Sequence, residues 1–467
     1  MEITSASQWA FEQFGSVDLQ DQRRNDRAVT LATVAALYAS DSLPKMCKQW
    51  SATKAAYRFF DQKHVTLAAL TQPHRQLTLQ AASACAVALH VSDTTTLSFS
   101  FGQARGLGPT SAAGSGHGVL LHSTLALDVS GGIDACPRVL GLSAQQWWAR
   151  ESPQAPKPES FKWSLGIEKI TVPKAFGRQI HVGDCESDCW ETIEACQQQG
   201  LSYVIRSGQD RRLAAGNDGS KGEDSSNSLS LFERMRQQPA LGQKRLPLRS
   251  RGEMEAREVQ LHLSAMRMTL RPPKNWSSKA HRQDRKKPAP IDCWAVRVWE
   301  SDPPAGAKAI EWILLTDMAC NDPSSASLIA FWYSCRWLIE EYHKCLKTGC
   351  KVEERQLETA DRLEALTGIL GVVAVRLLQL KQQARCDPQQ PAKKVVPVIY
   401  VQVLAAQRNK SRKMSVREFW HQVAQLGGFL GRKSDGDPGW LTTWRGWQEL
   451  ELLVAGAKLQ ANIRKRR

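Results

Sequence analysis

The stretch Tyr333-Ser-Cys-Arg336-Trp-Leu-Ile-Glu340-Glu-Tyr-His-Lys344-Cys-Leu-Lys347 sets four chemically useful side chains in one helical register. Read as part of a long helix over residues 328–347, at about 100° per residue, it gathers Tyr333, Arg336, Glu340 and Lys347 within an arc of roughly 60°. One face then presents a phenol, a guanidinium, a carboxylate and an ammonium. Lys344 falls near the same stripe, while Glu341 is turned away by about a quarter of the circle. Ion pairing along a solvated helix gives the same pattern, so the stripe acquires meaning only with partners from elsewhere.

Two aspartates supply them. Residues 84–92 form a small-residue and apolar run with Val87, Leu89 and Val91, read as a buried strand that ends at Asp93 and is followed by Thr94, Thr95 and Thr96. The run Ile180-His-Val-Gly183 leads into Asp184 in the same way, with a helix over 190–199 and a further strand over 201–205 ending at Arg206. An aspartate at a strand end is equally suited to cap a turn. One acid on a helix face and two at strand ends, however, are what is needed to clamp two hard cations. Magnesium prefers oxygen ligands and keeps several waters. Two such ions can activate a water or a sugar 3′-hydroxyl and stabilise the leaving oxygen of an in-line phosphoryl displacement.

The remaining chain is organised around these segments. Residues 7–65 alternate apolar and basic positions at helical spacing and predict a small helical module; a basic helix there suits a phosphate-bearing groove, and a cap packed on the core is the other reading. A Gly/Ser-rich segment, 106–118, reads as a loop before a strand over 119–129, and the polar stretch 207–228 as a surface excursion. Between 246 and 299 the apolar period is near two, which predicts a strand-rich insertion interrupted by a basic run at 279–287. Residues 312–315 read as another strand. Helices are expected over 365–383, 416–426 and 441–463, followed by a basic end at 464–467.

The chain has 467 residues, enough for two or three domains. Its 62 Lys and Arg against 46 Asp and Glu leave a net charge of +16, which favours a polyanionic partner such as nucleic acid. Glu2 and Glu12, with no basic segment ahead of an apolar run, do not read as a secretory signal. The apolar stretch 365–375 is shorter than the roughly 18 residues a membrane span requires, so no membrane partner is expected. The twelve cysteines include no CxxC pair and read as reduced thiols of a cytosolic protein. The spacing of Cys335, His343, Cys345 and Cys350 fits no zinc pattern.

In these motifs the sequence resembles the bacterial cut-and-paste DDE transposases of the insertion-sequence-four family, and it is similar to the transposon-five transposase along nearly its whole length. The segments that carry the resemblance are Asp93-Thr-Thr-Thr-Leu-Ser, Val182-Gly-Asp184-Cys-Glu-Ser-Asp188, Tyr203-Val-Ile-Arg206-Ser and Glu311-Trp312-Ile-Leu-Leu-Thr. To these is added the family signature Tyr-x2-Arg-x3-Glu-x6-Lys, met by Tyr333, Arg336, Glu340 and Lys347. The resemblance implies an α/β fold: an RNase H-like catalytic core interrupted by a β-rich insertion, with helical modules at both ends. It implies that Asp93, Asp184 and Glu340 are catalytic and hold two Mg2+ ions, or Mn2+. Tyr333, Arg336 and Lys347 would grip phosphates next to the cut, with Arg206 and Lys344 nearby. Trp312 would stack on a base flipped from the duplex, since an aromatic platform recovers part of the unstacking cost; a Trp packed in the core beside Ile313 and Leu314 is the other reading. Arg27 and Arg58 match basic positions of an end-binding module.

The activity so implied is excision of an element by nicking, hairpin formation and hairpin opening, followed by joining of its 3′-hydroxyl ends to target DNA. The partners are double-stranded DNA, both transposon ends and target, and a second copy of the chain in a synaptic homodimer, with the helix bearing Trp444 and Trp447 as the contact. A helix packed within its own chain competes with that last assignment. The expected divisions are an end-binding module over 1–68, a catalytic domain over 69–385 with its insertion at about 208–305, and a dimerisation module over 386–467. The location would be the bacterial cytoplasm, at the nucleoid. Cys185 departs from the family, standing where a close relative has Arg beside the second aspartate. An end-binding protein that does not cut, and another RNase H-like nuclease, are the alternatives; the first conflicts with the intact acids, the second would not need Trp312 or the phosphate-gripping face.

Overall fold

The computed structural model describes residues 3–465 except 100–103, 112–115, 157, 173–174, 215–229, 249–256, 274–287, 305, 307–308, 384 and 433–434. The basic run at 279–287, most of the polar stretch 207–228, part of the 106–118 loop and the last two residues of the basic end thus lie outside the described residues.

Four helices open the chain: α1 (Ala6–Phe14), α2 (Gln22–Leu37), α3 (Leu43–Cys47) and α4 (Trp50–Phe60). Ser5 and Asp21 start the first two by accepting from the backbone N–H groups of Gln8 and Arg23, donors that have no partner within the helix. After α5 (Leu67–Ser83) come β1 (Val87–Ser98), β2 (Gly108–Pro109), β3 (His117–Asp128), β4 (Arg138–Trp148), α6 (Lys162–Glu168), β5 (Arg178–Gly183), α7 (Trp190–Gln199) and β6 (Ser202–Arg206). Then follow α8 (Leu231–Arg236), β7 (Gly242–Leu248), β8 (Arg257–Leu270), β9 (Ile291–Glu300), β10 (Glu311–Thr316), α9 (Pro323–Ser334) and α10 (Trp337–Lys344). The chain ends with α11 (Ala360–Gln383), α12 (Val398–Gln407), α13 (Val416–Leu426) and α14 (Trp440–Lys465).

The strands make one sheet in the order β2-β3-β1-β5-β6-β10-β9-β8-β7, with β4 also pairing on β3. The centre, β1-β5-β6, is parallel, and both flanks are antiparallel. Parallel neighbours need a crossover, which α7 supplies between β5 and β6. This is the mixed α/β core with helical regions at both ends that the resemblance implies.

Four details differ from the sequence reading. Asp93 lies within β1 and not at its end: pairing with β3 runs on to Ser98 opposite Gly118, whereas pairing with β5 stops at Val91 opposite Val182. The strand β4 was not anticipated. The described strands between 242 and 300, read from the sequence as a strand-rich insertion, continue the core sheet itself, because β9 pairs with β10. The long helix expected over 328–347 is broken: Arg336 N–H bonds to Tyr333 O at 3.0 Å and Leu338 N–H to Cys335 O at 3.0 Å, a tight turn that separates α9 from α10, and residues Cys345–Gly349 form a π turn. Apolar periodicity averages over such irregularities, which often mark functional segments.

The core is built around α11, which has buried residues on every side and packs against α2, α5, β4 and α14. By length and composition it could cross a membrane, yet 89% of its most apolar window is buried within the protein. Gly371 lets it approach α10, since a Cβ there would stand 3.2 Å from the Tyr342 hydroxyl. On its opposite reaches, buried Arg376 donates to Thr4 O at 2.9 Å and Glu451 Oε1 at 3.3 Å and lies 5.1 Å from the Trp9 ring, while Tyr400 Oη donates to Glu451 Oε2 at 2.8 Å. A buried pair is costly to break from one side, so both terminal helical regions are fastened to the core at this point.

Cys136 and Cys386 form a disulfide between the β3–β4 turn and the chain just past α11, with Cα atoms 5.6 Å apart. This corrects the reading of all twelve cysteines as thiols; a separation of 250 residues leaves no trace in local spacing. The other ten are free.

Candidate active site

The β1–β5 register brings the two aspartates together. Val91 is opposite Val182, and Asp93 and Asp184 each follow two residues later, so they stand side by side on one face of the sheet. Beyond β5 the chain turns sharply: Asp184 Oδ1 accepts from Glu186 N–H at 2.9 Å, and Ser187 Oγ donates to Asp184 O at 2.6 Å. Gly183 is required here, because a Cβ would meet Ser187 Oγ at 2.2 Å.

Across from them, α10 lies over β1 and β3 and carries Glu340. Arg336, at the turn before α10, joins the acids: its Nη2 donates to Glu340 Oε1 at 2.5 Å and its Nη1 lies 3.7 Å from Asp93 Oδ2. Burial, then the neighbouring Asp184 charge, pushes the Asp93 carboxyl up to about 6; Thr94 N–H and Arg336 oppose the shift. Burial also raises Asp184. For Arg336, burial pulls downward but is outweighed by Tyr333, Glu340 and Asp93, which hold the guanidinium above its ordinary value.

Tyr333, at the end of α9, is buried, and burial raises its phenol against the opposing influence of the Arg336 and Arg206 guanidiniums. Trp312 on β10 sets its half-buried ring against Tyr333, centroids 5.1 Å apart and planes at 64°. Lys347, in the π turn, donates to Thr96 O at 2.6 Å and pairs with Glu353 at 3.5 Å, which ties it to the far half of β1. Lys344 is exposed on α10. Asp93, Asp184, Glu340, Arg336, Tyr333, Arg206 and Trp312 therefore form one cluster with Lys347 at its margin. Arg27 and Arg58 sit on α2 and α4 of the N-terminal helices, half-buried and exposed.

Residues 6–65 match the family described as transposase DNA-binding, residues 179–376 the transposase DDE domain, and residues 372–465 the transposase Tn5 dimerisation domain. The chain belongs to the Tn5-like DDE transposases. As a DNA transposase it binds DNA, cleaves and joins strands, and forms dimers. Among solved structures it is similar to a piggyBac transposase synaptic complex with hairpin DNA, determined by cryo-EM. The identity is 9%, over 92% of this chain and 84% of that one, with a TM-score of 0.36.

A DDE domain typically uses divalent metal. Among the described residues no three His, Cys, Asp or Glu side chains are gathered at metal-binding range, because the Arg336 guanidinium stands between the acids. The residues nevertheless fit a hard cation. All three donors are carboxylate oxygens, and the charges of Asp184 and Glu340 add to burial in raising the Asp93 carboxyl.

The sequence reading passed over Lys162. It is 6% exposed, and its Nζ reaches Glu186 at 3.1 Å, two residues past Asp184. A lysine 24 residues from its partner has no spacing signature. Trp444 and Trp447, expected at a dimer contact, are 4% and 1% exposed. They pack within their own chain, Trp447 stacking on Tyr400 at 5.1 Å.

Proposed function

We propose that this transposase excises and inserts its element at the Asp93–Asp184–Glu340 cluster with Mg2+ as cofactor, recognising terminal repeats through residues 1–68 and pairing through residues 386–467. The observation that carries the reading is the β1–β5 register, which sets two carboxylates side by side under a third on α10. Bound there, divalent cations would supply Lewis-acid activation of the attacking oxygen and charge neutralisation at the phosphate. Asp93, Asp184 and Glu340 would hold them. Arg336, Tyr333 and Arg206 would fix the scissile phosphate, with Lys347 and Lys344 on the adjoining backbone, since positioning and charge stabilisation dominate phosphoryl transfer. Arg27 and Arg58 would meet phosphates of the terminal repeat. Trp312 would receive a flipped base after displacing its edge contact with Tyr333.

The test is to incubate purified protein with duplexes carrying the element's own terminal repeats, with and without Mg2+, on a denaturing gel. Metal-dependent nicks followed by hairpins are expected; binding with no cleavage would leave an end-binding protein in place of an enzyme. In the same assay Trp312→Ala should keep the first nick and slow hairpin formation by about 10- to 100-fold, the worth of one stacked base. An equal loss at both steps would remove Trp312 from the flipping role.

For dimerisation the structure redirects attention from the two tryptophans to the far half of α14. Leu452, Leu459 and Ile463 are 50%, 62% and 50% exposed. Spaced at i, i+7 and i+11, they share one side of the helix, and Gly456 between them leaves room for close approach. Leu459→Glu combined with Ile463→Glu should leave binding to one end intact and abolish the paired-end complex, read by light scattering of DNA-bound protein. Persistence of paired ends would place the contact elsewhere.

A further inference from the structure

Asp188, four residues beyond Asp184, is fully buried and collects an unusual number of donors from one turn. Its Oδ2 accepts from Ser207 Oγ at 3.0 Å, Gly208 N–H at 2.9 Å and Gln209 N–H at 3.1 Å. Its Oδ1 accepts from Arg211 Nη2 at 2.5 Å and Nε at 3.2 Å, and its backbone carbonyl accepts from Gln209 Nε2 and Arg211 Nη2, each at 2.8 Å. Those donors all belong to residues 207–211, the turn that leaves β6 directly after Arg206. A carboxylate serves well as such a hub because it offers several acceptor sites and charge-assisted bonds are the stronger ones.

The two turns also touch. A Cβ on Gly208 would stand 2.8 Å from Cys185 O and 3.0 Å from Cys185 Cβ, so the turn after Arg206 rests on the residue after Asp184. The other strand neighbour completes the frame, with Ser207 N–H bonded to Ile313 O at 2.7 Å.

We propose that Asp188 is a positioning residue for strand cleavage: it fixes the turn 207–211 against the Asp184 turn and so sets where the Arg206 guanidinium stands relative to Asp184 and Tyr333. This rests on Arg206 gripping the phosphate, as assigned above. Asp188 itself touches neither DNA nor the reacting atoms. Its effect on the reaction passes through Arg206, which distinguishes it from a residue that merely stabilises the fold.

The test uses the full chain, Mg2+ and a duplex bearing the element's terminal repeat, with nicking rate, end binding and thermal midpoint measured together. Two variants disturb the frame differently. Asp188→Leu with Arg211→Met replaces the buried ion pair by apolar side chains, a change such pairs often tolerate. Gly208→Ala leaves the ion pair intact and forces the turns apart. Each should slow nicking about 100-fold, the scale of a misplaced group near the chemistry, with end binding close to wild type; the midpoint should stay close to wild type for Gly208→Ala and fall for the double variant, which leaves Ser207 Oγ and the Gly208 and Gln209 N–H groups without their acceptor. Adding Arg206→Ala to either should cost far less than Arg206→Ala costs alone, the non-additivity of groups that act through one another. Full additivity, or wild-type nicking by Gly208→Ala, would overturn the proposal. Should the double variant fail to unfold cooperatively, Gly208→Ala decides alone. If Arg206→Ala by itself nicks normally, the phosphate assignment of Arg206 falls and the proposal with it, while metal-dependent nicking by the wild type would still uphold the three-carboxylate reading.

Discussion

Glu340→Gln is expected to lower metal-dependent nicking and strand transfer by about 10³-fold, equivalent to about 4 kcal/mol of transition-state stabilisation, without weakening end binding. The substitution conserves shape, and its amide oxygen can still accept from Arg336. What it removes is the charge that, with Asp93 and Asp184, would draw divalent cations between the sheet and α10. In the metal-free protein the loss should be nearly neutral or slightly stabilising. Glu340 is one of the charges that raise the Asp93 carboxyl, and its removal lets Arg336 serve Asp93 more fully. A gel-based nicking rate and a thermal midpoint from the same preparation check both halves. Retention of a tenth or more of the wild-type rate would exclude Glu340 from the site.

The second large effect is a steep loss of fold stability on mild acidification. His74 and His90 are held down to about 4, and His181 and His343 to about 3, in each case chiefly by burial. His122 is shifted in the same direction by burial and by Lys162. The contacts fit neutral rings: Leu142 N–H donates to His74 Nε2 at 2.9 Å, which therefore carries no proton, and among the described residues neither ring nitrogen of His181 has a hydrogen-bond partner. In the unfolded chain these rings protonate near 6.5. Between that value and about 4 the unfolded state binds more protons than the folded one, so stability falls as pH falls through this window, by up to about 1.4 kcal/mol per pH unit for each histidine. Asp93 works the other way, since its raised carboxyl takes up a proton in the folded state between about 6 and 3.8, and Asp184, Glu364 and Glu451, raised likewise by burial, join it, so the carboxyls offset part of the effect of the five histidines. Urea midpoints at pH 7.5 and 5.0 measure the outcome, with a much lower value expected at pH 5.0. Equal midpoints would mean that these histidines are solvated or already charged.

Much of the site was legible because its parts are local. Asp184 follows a short apolar strand, and the Tyr333-to-Lys347 spacing lies within one segment, so each could be quoted from the sequence. The geometry joining them was not. A face calculated for one continuous helix lost its basis at the Arg336 turn, and Lys347 reached β1 through a π turn that no periodicity announces. The reach of Arg336 to Asp93 and the Lys162–Glu186 contact come from tertiary packing, whereas the Arg336–Glu340 pair is local, at i,i+4. Trp444 and Trp447 show a different limit: an apolar stripe specifies burial, but not whether the covering surface comes from the same chain or another. Likewise the period-two stretch after residue 246 identified strands without revealing that they would join the existing sheet.

That last feature has a mechanical consequence. Because β10 bonds to β6 on one side and β9 on the other, and β8 and β7 continue from β9, these strands are no lid on a hinge. Sheet and insertion form a single stiff plate whose softest motion is a twist about the strand axes. Arg206 and Trp312 ride on adjacent strands of that plate. Any force exerted by DNA on the outer strands would reach both residues at once as torsion, so the phosphate grip and the seat for a flipped base proposed for them would tighten or slacken together.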